Sequence, residues 1–344
     1  MLEVCVRKQR GDFLCEVAFT GATPGVTALF GRSGCGKTTT IHMIAGLLRP
    51  DHGHIRVADT VLFDAARGID VPAEERGIGY VFQDARLFPH LSVRDNLRYG
   101  ERRARRGAHR LKFDAVVELL GLASLLAQPR LLLLDEPLAA LDGARRGELL
   151  PYLEGLRDRF SLPMVYVSHQ LEEVLRLAGH VVVMESGHVA DHGDVVSVSQ
   201  SDALRAIVGA ESMGAVVEGT VGEIDTAAGL AHIQVGDGQL RVEAADLRAG
   251  QRLRVQLLAR DLIVSIAAPA GLSVRNSLAG VITQLQADGG QAWLVFTDIG
   301  GARLMVRITD DARRALDLAV GQRVWVLVKT ISLRGHVFSG PANG

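Results

Sequence analysis

Residues 2–19 alternate between apolar and polar positions: Leu2, Val4 and Val6, then Phe13, Cys15 and Val17. A period of two predicts two strands, and Gly11-Asp12 between them predicts an antiparallel hairpin. Residues 26–30 form a short apolar run that reads as a buried strand, and residues 39–48 read as a helix. A second pair of short strands is expected over 51–63. Further buried strands are expected over 77–82, 131–134, 164–168 and 181–184. A helix should run from the residues after Gln170 to about Leu177. Residues 187–194 read as a turn-rich close, and a helix over 201–208 should end this part of the chain. From Met213 the texture changes to short strands, glycine turns and little helix, as in a small β-barrel.

That last region repeats itself. Leu247-Arg248-Ala249-Gly250-Gln251-Arg252-Leu253-Arg254-Val255 is similar to Leu318-Ala319-Val320-Gly321-Gln322-Arg323-Val324-Trp325-Val326, and Gly219-Thr220-Val221 to Gly280-Val281-Ile282. The second copy is the longer, and Asp310 to Leu316 reads as an inserted helical turn. Two small barrels in tandem are the simplest expectation. The chain is then an α/β domain over 1–210, a first barrel over 213–270 and a second over 272–340.

The chemistry concentrates between the predicted strand 26–30 and the helix after it. Gly31-Arg32-Ser33-Gly34-Cys35-Gly36-Lys37-Thr38 has the form G-x-x-x-x-G-K-[ST], a phosphate-binding P-loop, in its strand–turn–helix context. Glycines let successive backbone N–H groups point into one concavity, and the helix N-terminus adds partial positive charge. Lys37 can reach the β- and γ-phosphates, the Thr38 hydroxyl can ligate Mg²⁺, and Thr39 continues the first turn. A nucleoside triphosphate with Mg²⁺ is therefore the expected ligand. Phe13 is a candidate to stack on the base, although one Phe on a strand is more often core.

Bulk composition narrows the partners. The 344 residues carry a formal net charge of −1, so no general nucleic-acid binding is expected. The basic run 101–110 has no interleaved aromatics and reads as a solvated surface. Three cysteines without a C-x-x-C pair suit a reduced compartment and no structural metal. No signal-peptide pattern opens the sequence, and no run of apolar residues is long enough to span a membrane.

Four motifs in order now carry a resemblance. After the P-loop come Tyr80-Val81-Phe82-Gln83-Asp84, then Leu131-Leu132-Leu133-Leu134-Asp135-Glu136-Pro137 with Leu138-Ala139-Ala140-Leu141-Asp142, then Met164-Val165-Tyr166-Val167-Ser168-His169. Together these resemble the ATP-binding subunit of an ABC transporter over residues 1–205. The resemblance implies a P-loop NTPase fold and a role for each residue. Asp135 would hold Mg²⁺ and Glu136 would act as general base on water. His169 would hold the γ-phosphate, and Gln83 would sense the γ-phosphate and Mg²⁺. Asp142 would lie at the interface of a homodimer. Leu87, Phe88 and Leu91 would face the membrane subunits. No guanine-reading Asn-Lys-x-Asp, second P-loop or coiled-coil insert supports another P-loop class.

One expected motif is missing. The family carries Leu-Ser-Gly-Gly-Gln or a variant between the Gln83 segment and the Asp135 strand. Here residues 116–131 run from a helix pattern to the strand without a Ser-Gly-Gly. The gap is roughly twenty residues short of the family pattern. In the family that segment of one subunit completes the ATP site of the other, so the resemblance leaves two readings. One is an ATPase that drives transport. The other is a hydrolysis-deficient ATP- and oxyanion-binding remnant or sensor.

The second barrel supplies a substrate class. Ser273-Val274-Arg275-Asn276-Ser277-Leu278-Ala279-Gly280 and Val328-Lys329-Thr330-Ile331-Ser332 resemble the opening and close of the molybdate-binding Mop (TOBE-type) domain. By that resemblance Ser273, Arg275, Asn276, Lys329 and Thr330 would contact a tetrahedral oxyanion. The whole chain then resembles the ATP-binding subunit of a molybdate ABC importer. It would sit peripherally on the cytoplasmic face of the inner membrane, beside integral-membrane permease subunits. An extracytoplasmic molybdate-binding protein would serve it indirectly.

Overall fold

A computed structural model describes residues 1–83, 129–139, 141–160, 162–244, 247–329 and 334–337. Leu87, Phe88, Leu91, the basic run 101–110, the helix expected before Leu131, and Thr330 lie outside the described residues. The chain divides into two compact units, Met1–Asp194 and Val195–Gly344.

The first unit is built on an eleven-stranded sheet. Its strands are β1 (Leu2–Arg10), β2 (Phe13–Gly21), β3 (Gly25–Phe30), β4 (His52–Val57), β5 (Thr60–Asp64), β6 (Ile69–Asp70), β7 (Ile78–Val81), β8 (Leu131–Asp135), β9 (Pro163–Ser168), β10 (His180–Glu185) and β11 (His188–Asp194). Their order is β6-β5-β4-β1-β2-β11-β10-β3-β9-β8-β7. The hairpin expected around Gly11-Asp12 forms, with Leu2 opposite Gly21 and Arg10 opposite Phe13. Strands β10, β3, β9, β8 and β7 run parallel. The four leucines of β8 are all buried, as befits a strand covered on both faces.

Its α-helices among the described residues are α1 (Lys37–Ala45), α2 (Gly143–Phe160) and α3 (Leu171–Leu177). Helix α1 stops short of Leu48, because Gly46 turns left-handed at its C-terminus. Residues 187–194 are a correction. They form β11, reversed from β10 at Ser186-Gly187, both of which are left-handed. Such a turn matches the twist of a hairpin. The strand is masked in sequence because Val189, Asp191 and Gly193 fill its partly buried face with only one apolar residue.

A buried arginine fixes α1 from behind. Arg76 donates through Nη1 to Met43 O and Ile44 O, both at 2.8 Å, through Nε to Val71 O at 2.8 Å, and through Nη2 to Asp70 at 3.2 Å. Its charge meets the carbonyl end of the helix, where cations are favourable.

In the second unit, α4 (Val195–Val198) and α5 (Asp202–Val208) precede ten strands. Residues 195–210, expected to close the first domain, pack with the β-region instead. The Ser199 hydroxyl accepts from Val216 N at 3.1 Å, Gln200 donates to Arg303 O at 2.8 Å, and Arg205 pairs with Asp288 at 3.3 Å. The first repeat supplies β12 (Gly214–Asp225), β13 (Leu230–Val235), β14 (Gly238–Glu243), β15 (Arg252–Leu258) and β16 (Leu262–Ser265). The second supplies β17 (Asn276–Ala287), β18 (Ala292–Asp298), β19 (Arg303–Thr309), β20 (Arg323–Val328) and β21 (Arg334–Val337). The inserted helical turn is α6 (Asp310–Ala315).

The repeat is real down to its hydrogen bonds. Gly250 N donates to Val221 O and Val221 N to Gln251 O, at 2.7 and 2.8 Å. Gly321 N and Ile282 N make the same pair with Ile282 O and Gln322 O, at 2.8 and 3.0 Å. The two barrels are not independent, however. The sheets are β14-β13-β12-β15-β21 and β16-β20-β17-β18-β19, so each repeat gives its last strand to the other's sheet. One apolar core, including Val217, Ile233, Val255, Leu278, Val306 and Val326, is shared by both. Exchange satisfies the outer edges of β15 and β20, which a single short repeat leaves unpaired.

Two outcomes test these supports. Arg76→Ala removes a donor from three carbonyls and the cation from Asp70, and should destabilise the first unit by roughly 3–5 kcal/mol, read in urea unfolding. The two repeats should also unfold in one transition, because neither sheet is complete without the other. Separate melting of the two repeats in calorimetry would contradict the exchange.

Candidate functional site

Parallel strands deliver their carboxyl ends to one edge of a sheet, and that edge is where the motifs meet. Phe30 at the end of β3 lies opposite Ser168 of β9, and Asp135 of β8 lies opposite Val167. The P-loop leaves β3 and enters α1. Gly34 and Gly36 are left-handed, with φ of 82° and 105°. A Cβ on Gly36 would also lie 3.3 Å from the Phe13 ring, a tight contact, so the left-handed turn and the close approach both favour glycine. Phe13, the stacking candidate, is thus half-buried against the loop itself. Lys37 is buried, and its ammonium donates to Gly31 O at 2.8 Å and Arg32 O at 3.0 Å. Arg32, Ser33, Gly34 and Thr38 are exposed, Thr39 is half-buried, and Cys35 is buried. Burial pushes the Cys35 thiol pKa up, against the pull of the Lys37 charge, so the thiol stays protonated and inert.

Strand β8 ends beside the P-loop, with Asp135 as its last residue. The Thr38 hydroxyl donates to Asp135 Oδ1 at 3.4 Å, and the Tyr80 hydroxyl donates to Asp135 Oδ2 at 3.1 Å. Asp135 is buried, and burial raises its pKa, opposed by the hydrogen bonds from Tyr80 and Thr38. A hydroxyl and a carboxylate converging beside a phosphate loop are the hard oxygen donors that suit Mg²⁺. Glu136 follows in a left-handed conformation, φ 45°, which is unusual for a residue with a side chain. Its N–H is held by Val167 O at 3.0 Å, and its carboxylate meets His169 Nδ1 at 3.1 Å.

The other expected residues are less concentrated. Gln83 is exposed, two residues beyond Val81, which lies opposite Leu134. Asp142 is exposed and caps α2, accepting from Arg145 N at 2.9 Å. In the second unit, Ser273, Arg275 and Lys329 are exposed. Asn276 lies opposite Val328, so Arg275 and Lys329 share one end of the sheet. Asn276 itself is fully buried. Its Oδ1 accepts from Arg241 N at 2.6 Å and its Nδ2 donates to Arg241 O at 3.1 Å. Its amide therefore ties β17 to β14 of the other repeat and is not turned to solvent.

Sequence reasoning missed Tyr80, which holds Asp135. It also missed Glu173, which lies behind His169 and is hydrogen-bonded to Tyr166 and Ser168. Tyr80 carried one signal, a hydroxyl in an otherwise apolar strand. Glu173 carried none, since an acidic residue in the first turn of a helix is ordinary.

Residues 14–139 match the family model described as ABC transporter, and residues 272–333 match that for the TOBE domain. The chain is 41% identical over 362 residues to the molybdenum import ATP-binding protein ModC of Paramagnetospirillum magneticum, covering 98% of this chain and 99% of the relative. It is 43% identical over 354 residues to the protein of the same name from Rhizobium meliloti, covering 96% and 99%. Both alignments are longer than the 344 residues of this chain, so each relative carries residues that this chain lacks. No helix among the described residues is long and apolar enough to cross a membrane.

The P-loop geometry predicts the effect of one methyl group. Gly36→Ala should weaken Mg-ATP binding on the order of tenfold, measured by titration calorimetry. Unchanged affinity would mean that the left-handed turn is not needed.

Proposed function

The chain belongs to the family of molybdenum import ATP-binding proteins, and we propose that it hydrolyses ATP to drive molybdate import through a membrane ABC transporter. The observation that carries the reading is the convergence of Lys37, Thr38, Asp135, Glu136 and His169 on one edge of the parallel sheet. Two such chains would form a homodimer against integral-membrane permease subunits, peripherally on the cytoplasmic face of the inner membrane. An extracytoplasmic binding protein would deliver the oxyanion to them.

Each residue has a task set by its chemistry. P-loop amides, the helix N-terminus and Lys37 neutralise the phosphates. Thr38 and Asp135 would hold Mg²⁺, with Gln83 reaching the same region from β7. Bound there, Mg²⁺ would neutralise negative charge on the phosphates. Glu136, oriented by its left-handed backbone and by His169, accepts the proton of the attacking water. His169 keeps its second ring nitrogen for the γ-phosphate side. Asp142 fixes the start of α2 at the dimer face.

The TOBE region is assigned to oxyanion sensing. Arg275 and Lys329 offer two cations at one end of the second sheet, and Ser273 and Thr330, their neighbours in sequence, would add hydroxyls, which suits a tetrahedral dianion. Asn276 supports that end through its hold on Arg241.

A second reading, an ATP- and oxyanion-binding sensor without turnover, rests on the missing Leu-Ser-Gly-Gly-Gln segment alone. Uptake into membrane vesicles with this chain as the sole ATPase separates the two. The importer reading predicts ATP-dependent molybdate uptake that is lost in Lys37→Ala and in Glu136→Gln, the latter still binding Mg-ATP. ATP binding without uptake by the wild-type chain would favour the sensor.

A further inference from the structure

His169 sits on an exposed bend after β9, yet its ring is set at hydrogen-bonding distance from Glu136. Something must hold two separate loops in register, since exposed bends are the least constrained part of a chain. The candidate is a carboxylate behind them. Glu173 on α3 is 3% exposed. Its Oε2 accepts from Ser168 Oγ at 2.7 Å and from Tyr166 Oη at 2.8 Å. Its Oε1 lies 3.2 Å from Arg146 Nε on α2.

These contacts reach both loops. Ser168 Oγ also accepts from Gln170 N at 3.0 Å, so the residues on either side of His169 are fixed through one hydroxyl. Arg146 donates through Nη2 to Leu141 O at 3.1 Å, and its N–H is bonded to Asp142 O at 2.9 Å. It therefore anchors the far end of the loop that begins at Glu136. Burial pushes the Tyr166 hydroxyl far up in pKa, with Glu173 adding to the shift, so it remains a donor. Three partners on a carboxylate this deep leave it little freedom to move.

We propose that Glu173 is a positioning residue for ATP hydrolysis, clamping the loop of His169 to the loop of Glu136 through Ser168, Tyr166 and Arg146. Glu173 touches no reacting atom; it acts through the orientation of His169 against Glu136. The inference rests on the ATPase reading above. It predicts that loosening the clamp lowers turnover without weakening nucleotide binding, because the P-loop is held by other contacts.

Two variants test it. Glu173→Gln keeps the shape and removes the charge. Ser168→Ala leaves the Glu173–Arg146 pair intact and cuts only the link to the His169 loop, so it stays informative if the first variant folds poorly. In a chain labelled with ¹⁵N-histidine, the His169 ring signals are identified by their loss in His169→Ala. Wild-type signals should be those of one fixed tautomer, and both variants should move them toward free imidazole while Mg-ATP affinity changes less than about twofold. In the transporter complex, kcat should fall roughly 10- to 100-fold with KM for Mg-ATP unchanged. His169 signals unaltered in folded Ser168→Ala, or a loss confined to KM, would overturn the proposal. A wild-type complex with no turnover bears on the ATPase reading alone, since the ring signals report on the clamp without hydrolysis.

Discussion

Parallel pairing of β3, β8 and β9 is the constraint on which the first unit depends. Parallel strands end on the same side, so the P-loop, Asp135 and His169 emerge together although they are far apart in sequence. The strands can do this only because they are buried on both faces, and the all-leucine run of β8 is the sequence form of that burial. Asp135 at the end of β8 is buried, where a lower dielectric strengthens charge interactions, whereas Glu136 is half-buried and His169 exposed. Asp135 registers this directly: burial raises its pKa, and the hydroxyls of Thr38 and Tyr80 oppose the shift.

Supports for this edge come from behind it. Arg76 holds the far end of α1, and Glu173 holds the loops of His169 and Glu136. Both are charged residues deep in the unit, each satisfied by several partners rather than one. A charge in that position resists displacement because any movement leaves buried groups unpaired. The second unit solves a different problem by other means. Two short repeats, each too small to close its own sheet, exchange their last strands and share one core.

Much of this was legible in the sequence. Strict alternation announced the β1–β2 hairpin, and the P-loop announced its strand and helix. Ordered motifs carried Asp135, Glu136 and His169 to a common purpose. What escaped was information that no local pattern holds. β11 was hidden because only Val189 marks its buried face. The repeat was visible, but strand exchange depends on which edge a strand finds, and that is decided by long-range packing. Asn276 looked like a ligand because Ser-x-Arg-Asn names residues and not directions; its amide turns inward to Arg241. Tyr80 and Glu173 act through partners 55 and 5 residues away, and neither spacing is a motif.

The motifs proposed to bind ATP and activate water all lie in this one chain, while residues 116–131 lack the family's Leu-Ser-Gly-Gly-Gln. The account therefore stands or falls on turnover. The direct measurement is steady-state ATP hydrolysis by the purified chain assembled with its membrane subunits, with Mg-ATP occupancy recorded in the same sample. The account predicts Mg²⁺-dependent turnover at full occupancy. Full occupancy with no turnover would contradict it and leave a nucleotide-binding sensor in its place.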